Sequence, residues 1–193
     1  MIIRKSFKFE NAHIVRKCTT ERCRESIHGH SYRVEVLLQS DYLDNGQMVF
    51  DFGLMKLEIR DIIDSFDHSV SIWSRDDPSY VLAIKEHSQR WIILPVSPSA
   101  EQLSRVFFIL IDRYLKLNQS VNGEKNVTLQ SIIIHETDSG YAQCFKEDAY
   151  NIKMGEIDIE KIIFSDDIKN DWRDANLQKK LIFGLGFLNP INL

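Results

Sequence analysis

The sequence predicts an α+β domain in which an antiparallel sheet carries two long helices on one face. Alternation of apolar and polar residues marks strands near the N-terminus and again around residues 130–145. Between them, two stretches repeat apolar residues at helical spacing. The predicted order is strand, strand, strand, helix, helix, strand, strand. A composition of 44% hydrophobic and 27% charged residues, with 8 Gly and 4 Pro among 193 residues, suits one globular domain and excludes a disordered or collagen-like chain.

Ile2 to Phe9 alternates, with Ile3, Phe7 and Phe9 on one side, and continued parity puts His13 on that same side. Tyr32, Val34, Val36 and Leu38 alternate with Arg33 and Glu35 and predict the second strand. Asp44-Asn45-Gly46 is a hairpin signal, which predicts that Gln47–Phe50 pairs back as a third strand. From Asp51 to Phe66 the period changes, and Met55, Ile59, Ile62, Ile63 and Phe66 form one helical stripe. A second helix starts at Pro98 or Ser99, with Ser99 and Gln102 matching a capping box. Leu103, Val106, Phe107, Leu110, Ile111 and Tyr114 supply its apolar stripe. Gln130 to Thr137 is a strongly apolar strand, and Tyr141 to Phe145 is its hairpin partner. Residues 72–95 read as an irregular insertion containing a short strand, Arg90 to Leu94. Residues 147–193 form an acidic extension whose apolar end, Leu181 to Leu188, is packed down or used as an oligomer contact.

No apolar run approaches the ~18–20 residues that span a bilayer, so no membrane contact is expected. The alternating N-terminus has no signal-peptide core. Cys18, Cys23 and Cys144 are an odd number at no framework spacing, which predicts free thiols and a cytoplasmic location. The net charge of −4 divides unevenly, with residues 1–33 at +5 and the remainder at −9. Such a local cationic patch attracts a small polyanion. The acidic remainder, and the lack of interleaved aromatic and basic residues, speak against a nucleic-acid partner.

His28-Gly29-His30 places two imidazoles on one strand face, and His13 from the neighbouring strand supplies a third. Three neutral imidazoles with one open position make a catalytic zinc arrangement, with Zn–N distances near roughly 2.0–2.1 Å. A lone His-x-His is more often structural, and His13 adds weight to the metal reading. Cys23, between Arg22 and Arg24 and five residues before His28, is placed to act as a thiolate, with Cys18 as the competing thiol. Asp67 and His68 end the first helix as an acid–imidazole pair. Glu136 follows the apolar run ending in His135, where a buried carboxylate needs partners.

Taken in order, six pieces resemble the 6-pyruvoyl-tetrahydropterin synthase / 6-carboxytetrahydropterin synthase family, most closely its bacterial queuosine-pathway branch. They are Phe9-Glu-Asn-Ala-His13, Cys23 with His28-Gly-His30, Gly46-Gln-Met-Val-Phe-Asp51-Phe, Phe66-Asp67-His68, Pro98-Ser-Ala-Glu101 and His135-Glu136-Thr137. They cover residues 1–70 and 96–146, which sets a pterin synthase domain at 1–146 and an extension at 147–193. The resemblance implies the tunnelling fold, in which four-stranded antiparallel sheets from several subunits close into a barrel with helices outside. It implies a homohexamer with active sites between subunits. It implies zinc on His13, His28 and His30, Cys23 as proton acceptor, Asp67 and His68 in a proton relay, and Glu136, also counted among the catalytic residues, with Thr137 at the pterin ring. The implied substrate is 7,8-dihydroneopterin triphosphate. Lys8, Arg16, Lys17, Arg22 and Arg24 are candidates for its phosphates.

Four residues separate Cys23 from His28, between the three of the bacterial carboxy-forming branch and the five of the animal pyruvoyl-forming branch. Glu25 lies three before His28, as in a further branch that cleaves dihydroneopterin for folate synthesis. The expected activity is a zinc-dependent 6-carboxytetrahydropterin synthase. The alternatives are the pyruvoyl product, the folate-branch cleavage using Glu25, and a non-catalytic pterin- or metal-binding oligomer.

Overall fold

The computed structural model describes residues 1–190 and 192–193. In chain order the elements are β1 (Ile2–His13), α1 (Glu21–Glu25), β2 (His28–Gln39), α2 (Glu58–Asp64), β3 (Ser69–Trp73), α3 (Pro78–His87), β4 (Trp91–Leu94) and α4 (Ala100–Leu117). There follow β5 (Asn118–Gln119), β6 (Thr128–His135), β7 (Tyr141–Cys144), α5 (Lys146–Ala149), β8 (Ile163–Phe164), α6 (Asp166–Asp171), α7 (Leu177–Phe183) and β9 (Phe187–Leu188).

β1 and β2 pair antiparallel along their whole length, from Ile2 opposite Gln39 to His13 opposite His28. Phe9 and His13 of β1 and Tyr32, Val34, Val36 and Leu38 of β2 are buried on one face, as the alternation requires. Against that face lies α4, whose stripe of Leu103, Val106, Phe107, Leu110, Ile111 and Tyr114 is buried throughout. Phe9 stacks on Tyr32 at 4.8 Å and meets Phe107 edge-on at 5.6 Å. Fully burying each such side chain stabilises the fold by about 1.5–3 kcal/mol, so this sheet–helix contact is the anchor of the domain.

The sheet departs from the predicted four antiparallel strands. Seven strands run in the order β7-β6-β2-β1-β3-β4-β8. β3 pairs parallel to β1 through Asn11–His13, and β4 pairs parallel to β3. The region expected to be an irregular insertion is therefore a strand–helix–strand unit. Asn11 fixes its start, since its side-chain amide donates to the carbonyl oxygens of Phe66 (3.0 Å) and Ser69 (2.9 Å). Asp77 caps α3 by accepting from the Ser79 amide at 2.8 Å.

Two further expectations are corrected. Gln47–Phe50 is not a strand, because Asp44 Oδ1 takes the amides of Gly46 and Met48 (both 2.8 Å), and Gln47 adopts φ +62°. Those amides are lost to a ladder, and Val49 and Phe50 are buried from a loop instead. The first long helix is split into a 3₁₀ turn at Leu54–Lys56 and the seven-residue α2, with Leu57 at ψ −118° between them. The stripe itself holds, because Met55, Ile59, Ile62, Ile63 and Phe66 are all buried.

Beyond residue 147 the chain wraps the domain. Arg105, 3% exposed, donates to the carbonyls of Asp148, Ala149, Asn151, Met154 and Gly155. Trp172 Nε1 donates to Ser65 Oγ at 2.8 Å. Leu181 and Phe187 are buried, whereas Phe183 and Leu188 face outward.

Candidate active site

His13, His28 and His30 converge, with one nitrogen from each lying within 4.8 Å of the others. The paired register explains it, because His13 faces His28 across the β1–β2 ladder and His30 shares the face of His28. His13 Nδ1 lies 2.5 Å from the carbonyl oxygen of Pro98, and His28 Nδ1 lies 3.0 Å from that of Ser26. A carbonyl only accepts, so both protons sit on Nδ1 and both Nε2 lone pairs are left bare. Those two Nε2 atoms are 3.2 Å apart. Facing lone pairs repel at that distance, and a shared cation removes the repulsion. Burial lowers the pKa of His13, and the neighbouring His28 and His30 add to that, while the contacts with Pro98 and Glu136 oppose it. The neutral imidazole that results is the form that ligates a metal.

Glu136, just past the end of β6, reaches the same cluster. Its Oε1 lies 3.8 Å from His13 Nε2 and 3.9 Å from His30 Nε2. The buried Tyr32 hydroxyl donates to that oxygen at 3.2 Å and lies 3.4 Å from His13 Nδ1. Burial raises the Tyr32 pKa, and the Glu136 charge and hydrogen bond raise it further, so the phenol stays a donor.

A cavity of about 580 Å³ opens beside the imidazoles. Cys18, Cys23, His28, His30, Glu136 and Thr137 line it. It thus joins nitrogens able to ligate a metal, two thiols and a carboxylate in a space of the size that takes a small molecule. Cys23 reaches the cavity from α1, which the sequence pattern had not indicated. Val15 N–H donates to the Cys23 carbonyl at 3.1 Å and pins α1 against β1.

Other predicted residues lie elsewhere. Asp67 and His68 are paired at 2.9 Å and line a separate cavity with Lys8, Arg60 and Arg90, and His68 also lines an open cleft with His30, outside the thiol cavity. Asp67 Oδ1 accepts the Glu10 amide at 2.8 Å, and His68 points outward at φ +50°. Glu25 is exposed and bound to Arg24 at 2.8 Å, and it does not line the thiol cavity. Arg24 also donates to the carbonyls of Cys18 and Thr19, and Arg16 is committed to Asp76 at 2.9 Å. Of the five phosphate candidates, those two are thereby engaged inside the protein.

Two contributors escaped the sequence reading. Tyr32 read only as a core strand residue, although a buried tyrosine hydroxyl needs a partner and its parity matches His30. The Pro98 carbonyl carries no sequence signal at all, since any residue supplies one.

Comparison with known proteins agrees with this arrangement. Residues 2–147 match a family model described as 6-pyruvoyl tetrahydropterin synthase. A 6-carboxy-5,6,7,8-tetrahydropterin synthase of Helicobacter pylori (strain J99) is 34% identical over 183 residues, covering 94% of this chain and 92% of that protein. An alignment of that length necessarily runs beyond residue 147. Among solved structures, an uncharacterized protein of Wolinella succinogenes superposes with a TM-score of 0.62 at 20% identity, over 76% of this chain and 98% of that one. The 6-pyruvoyl tetrahydropterin synthase of Caenorhabditis elegans gives a TM-score of 0.53 at 17% identity, over 75% and 94%. At those identities the structures attest the fold, while the match through residues 2–147 and the near full-length H. pylori relative establish that the chain belongs to the 6-pyruvoyl tetrahydropterin synthase family.

Proposed function

We propose that the chain is a zinc-dependent 6-carboxy-5,6,7,8-tetrahydropterin synthase. It takes 7,8-dihydroneopterin triphosphate and one water to the 6-carboxy product with release of acetaldehyde and triphosphate, as a step of queuosine biosynthesis. The observation that carries this reading is one cavity shared by Cys23, the imidazole cluster, Glu136 and Thr137. The name of the H. pylori relative supports the carboxy branch. Glu25, turned to solvent and held by Arg24, does not favour the folate-branch cleavage.

In this reading, Glu136 accepts hydrogen bonds from the donor edge of the pterin, fixed in place by Tyr32, with Thr137 beside it. Zinc held by His13, His28 and His30 supplies Lewis acidity toward the side-chain hydroxyls. Cys23 takes up the proton from the side chain. Asp67 and His68 lie outside this cavity within one chain, and in this reading a neighbouring protomer presents them to it. We accordingly read the protein as a homohexamer whose sites form between subunits. The catalytic unit is residues 1–146, and 147–193 is an extension wrapped on it. Three free cysteines fit work in the reducing cytoplasm.

Product analysis on dihydroneopterin triphosphate tests the reading. The 6-carboxy product, with triphosphate released over many turnovers, is expected. A 6-pyruvoyl product, turnover of unphosphorylated dihydroneopterin alone, or one stoichiometric release would each overturn it.

A further inference from the structure

Part of the cationic excess of the first 33 residues lies in a loop that borders the cavity. Val15 and Cys18 line that cavity, and Arg16 and Lys17 lie between them in the chain. Arg16 bonds Asp76 and the Arg24 carbonyl, which ties this loop to the turn after β3. Asp76 Oδ2 in turn accepts the Trp73 amide at 3.0 Å. The lock brings two exposed cations onto one indole. Lys17 Nζ lies 5.8 Å, and the Arg75 guanidinium carbon 5.6 Å, from the centre of the Trp73 ring.

Neither cation makes an ion pair among the described residues. The nearby acids are engaged, Asp76 by Arg16 and Asp77 by the amide and hydroxyl of Ser79. Asp77 is an ionised carboxylate, its pKa lowered by hydrogen bonding to Ser79, and its Oδ1 is taken up as the N-cap of α3. An aromatic face attracts a cation but does not neutralise it. Lys17 is also held at φ +64°, a conformation uncommon outside glycine. Two like charges on one ring, neither with an ion pair of its own, are a target for an anion long enough to reach both. A single phosphate offers one point of charge, whereas a chain of phosphates offers several oxygens to share.

We propose that Lys17 and Arg75, assembled on Trp73, form a polyphosphate seat at the mouth of the cavity. Arg75 and Trp73 come from the strand–helix–strand unit inserted between α2 and α4, so that unit has a role in ligand recognition. Resting on the proposed function, the seat holds the triphosphate while the pterin lies at Glu136, with the scissile side chain between them at the imidazoles.

Calorimetry with inorganic tripolyphosphate on the purified, metal-loaded full chain tests the seat without any turnover. The double variant Lys17→Ala, Arg75→Ala is expected to weaken tripolyphosphate binding at least about tenfold, since losing one charge-assisted contact has roughly that effect. Its metal content and melting temperature should stay unchanged, because both side chains are exposed. With dihydroneopterin triphosphate, KM should rise by a similar factor while kcat holds. A control with Lys153→Ala and Lys179→Ala removes the same number of exposed positive charges from the C-terminal extension and should have a clearly smaller effect. Equal losses in both double variants, or full affinity in the first, would overturn the seat. Should tripolyphosphate binding depend on Lys17 and Arg75 while the triphosphate substrate is not turned over, the seat stands and the proposed function falls.

Discussion

At the scale of single residues, the site depends on which nitrogen or oxygen each side chain has left to offer. His28 gives its Nδ1 proton to the Ser26 carbonyl and keeps Nε2 for a metal. Replacing His28 by Ala is expected to strip the ion. Cys23→Ala should retain about one metal per chain yet lose roughly 10²–10⁴-fold in turnover, the range of a positioned proton acceptor. Metal analysis beside steady-state rates separates the two, and a metal-replete His28→Ala protein would refute the ligand assignment. Tyr32→Phe keeps the ring against Phe9 and removes only the donor to Glu136. One lost hydrogen bond of about 1 kcal/mol predicts a several-fold rise in KM for the pterin, with metal content unchanged. An unaltered KM would show that Glu136 needs no such support. Cys144, by contrast, is 1% exposed, and burial pushes its pKa up to about 12, which keeps it out of thiol chemistry. Residues of this kind were partly legible in the sequence. The histidines and Cys23 announce themselves by type, whereas Tyr32 and the Pro98 and Ser26 carbonyls act through contacts that only the folded register creates.

At the scale of elements, strands and helices with one buried face were readable, and those without one were not. β1, β2 and α4 each show a clean periodicity because one side meets the core. α3 has no buried residue and so no stripe to read. β3 is buried on both sides around small serines, which breaks the alternation expected of a half-exposed strand. α4 is stopped and started by identifiable chemistry. Ser99 accepts the Gln102 amide at 3.4 Å, but the Gln102 side chain turns instead to Arg105 and Met154, so half of the predicted capping box forms. Ser99→Ala should lower unfolding free energy by about 1 kcal/mol in a urea titration, and no change would mean that the cap is redundant. The β1–β2–β6 ladder carries its own pH dependence through Glu35. Burial would raise this carboxyl, but hydrogen bonding and charge from Arg4, then His135, bring it below its ordinary 4.5. A depressed carboxyl stabilises the fold above its unfolded pKa and stops doing so as pH falls through the folded value. Urea melts from pH 7 downward should therefore show a shallower acid limb for Glu35→Gln than for the native chain, and superimposable limbs would rule this out.

At the scale of the whole molecule, the sheet has edges that need covering. β3 takes only Asn11–His13 on the outer side of β1, so Ile2–Lys8 presents unpaired backbone there, and β7 ends the sheet opposite. In the proposed hexamer, joining such edges between copies would close a barrel and remove the hazard of open strands. Sedimentation at micromolar concentration should give six times the 22.6 kDa chain mass, and a monomer would refute the proposed hexamer. The strand unit after α2 makes the sheet wider than the sequence had indicated, because parallel strands buried between other elements carry no alternation of their own. A link between distant parts of the chain also follows from the short contact between His13 and Pro98. Pro98 sits one residue before the cap of α4, the helix on which the whole core rests. Any grip of these imidazoles on an ion would thereby gauge that helix: fraying of its first turn would swing the carbonyl, free the imidazole to rotate, and let a bound ion escape while most of the domain is still folded.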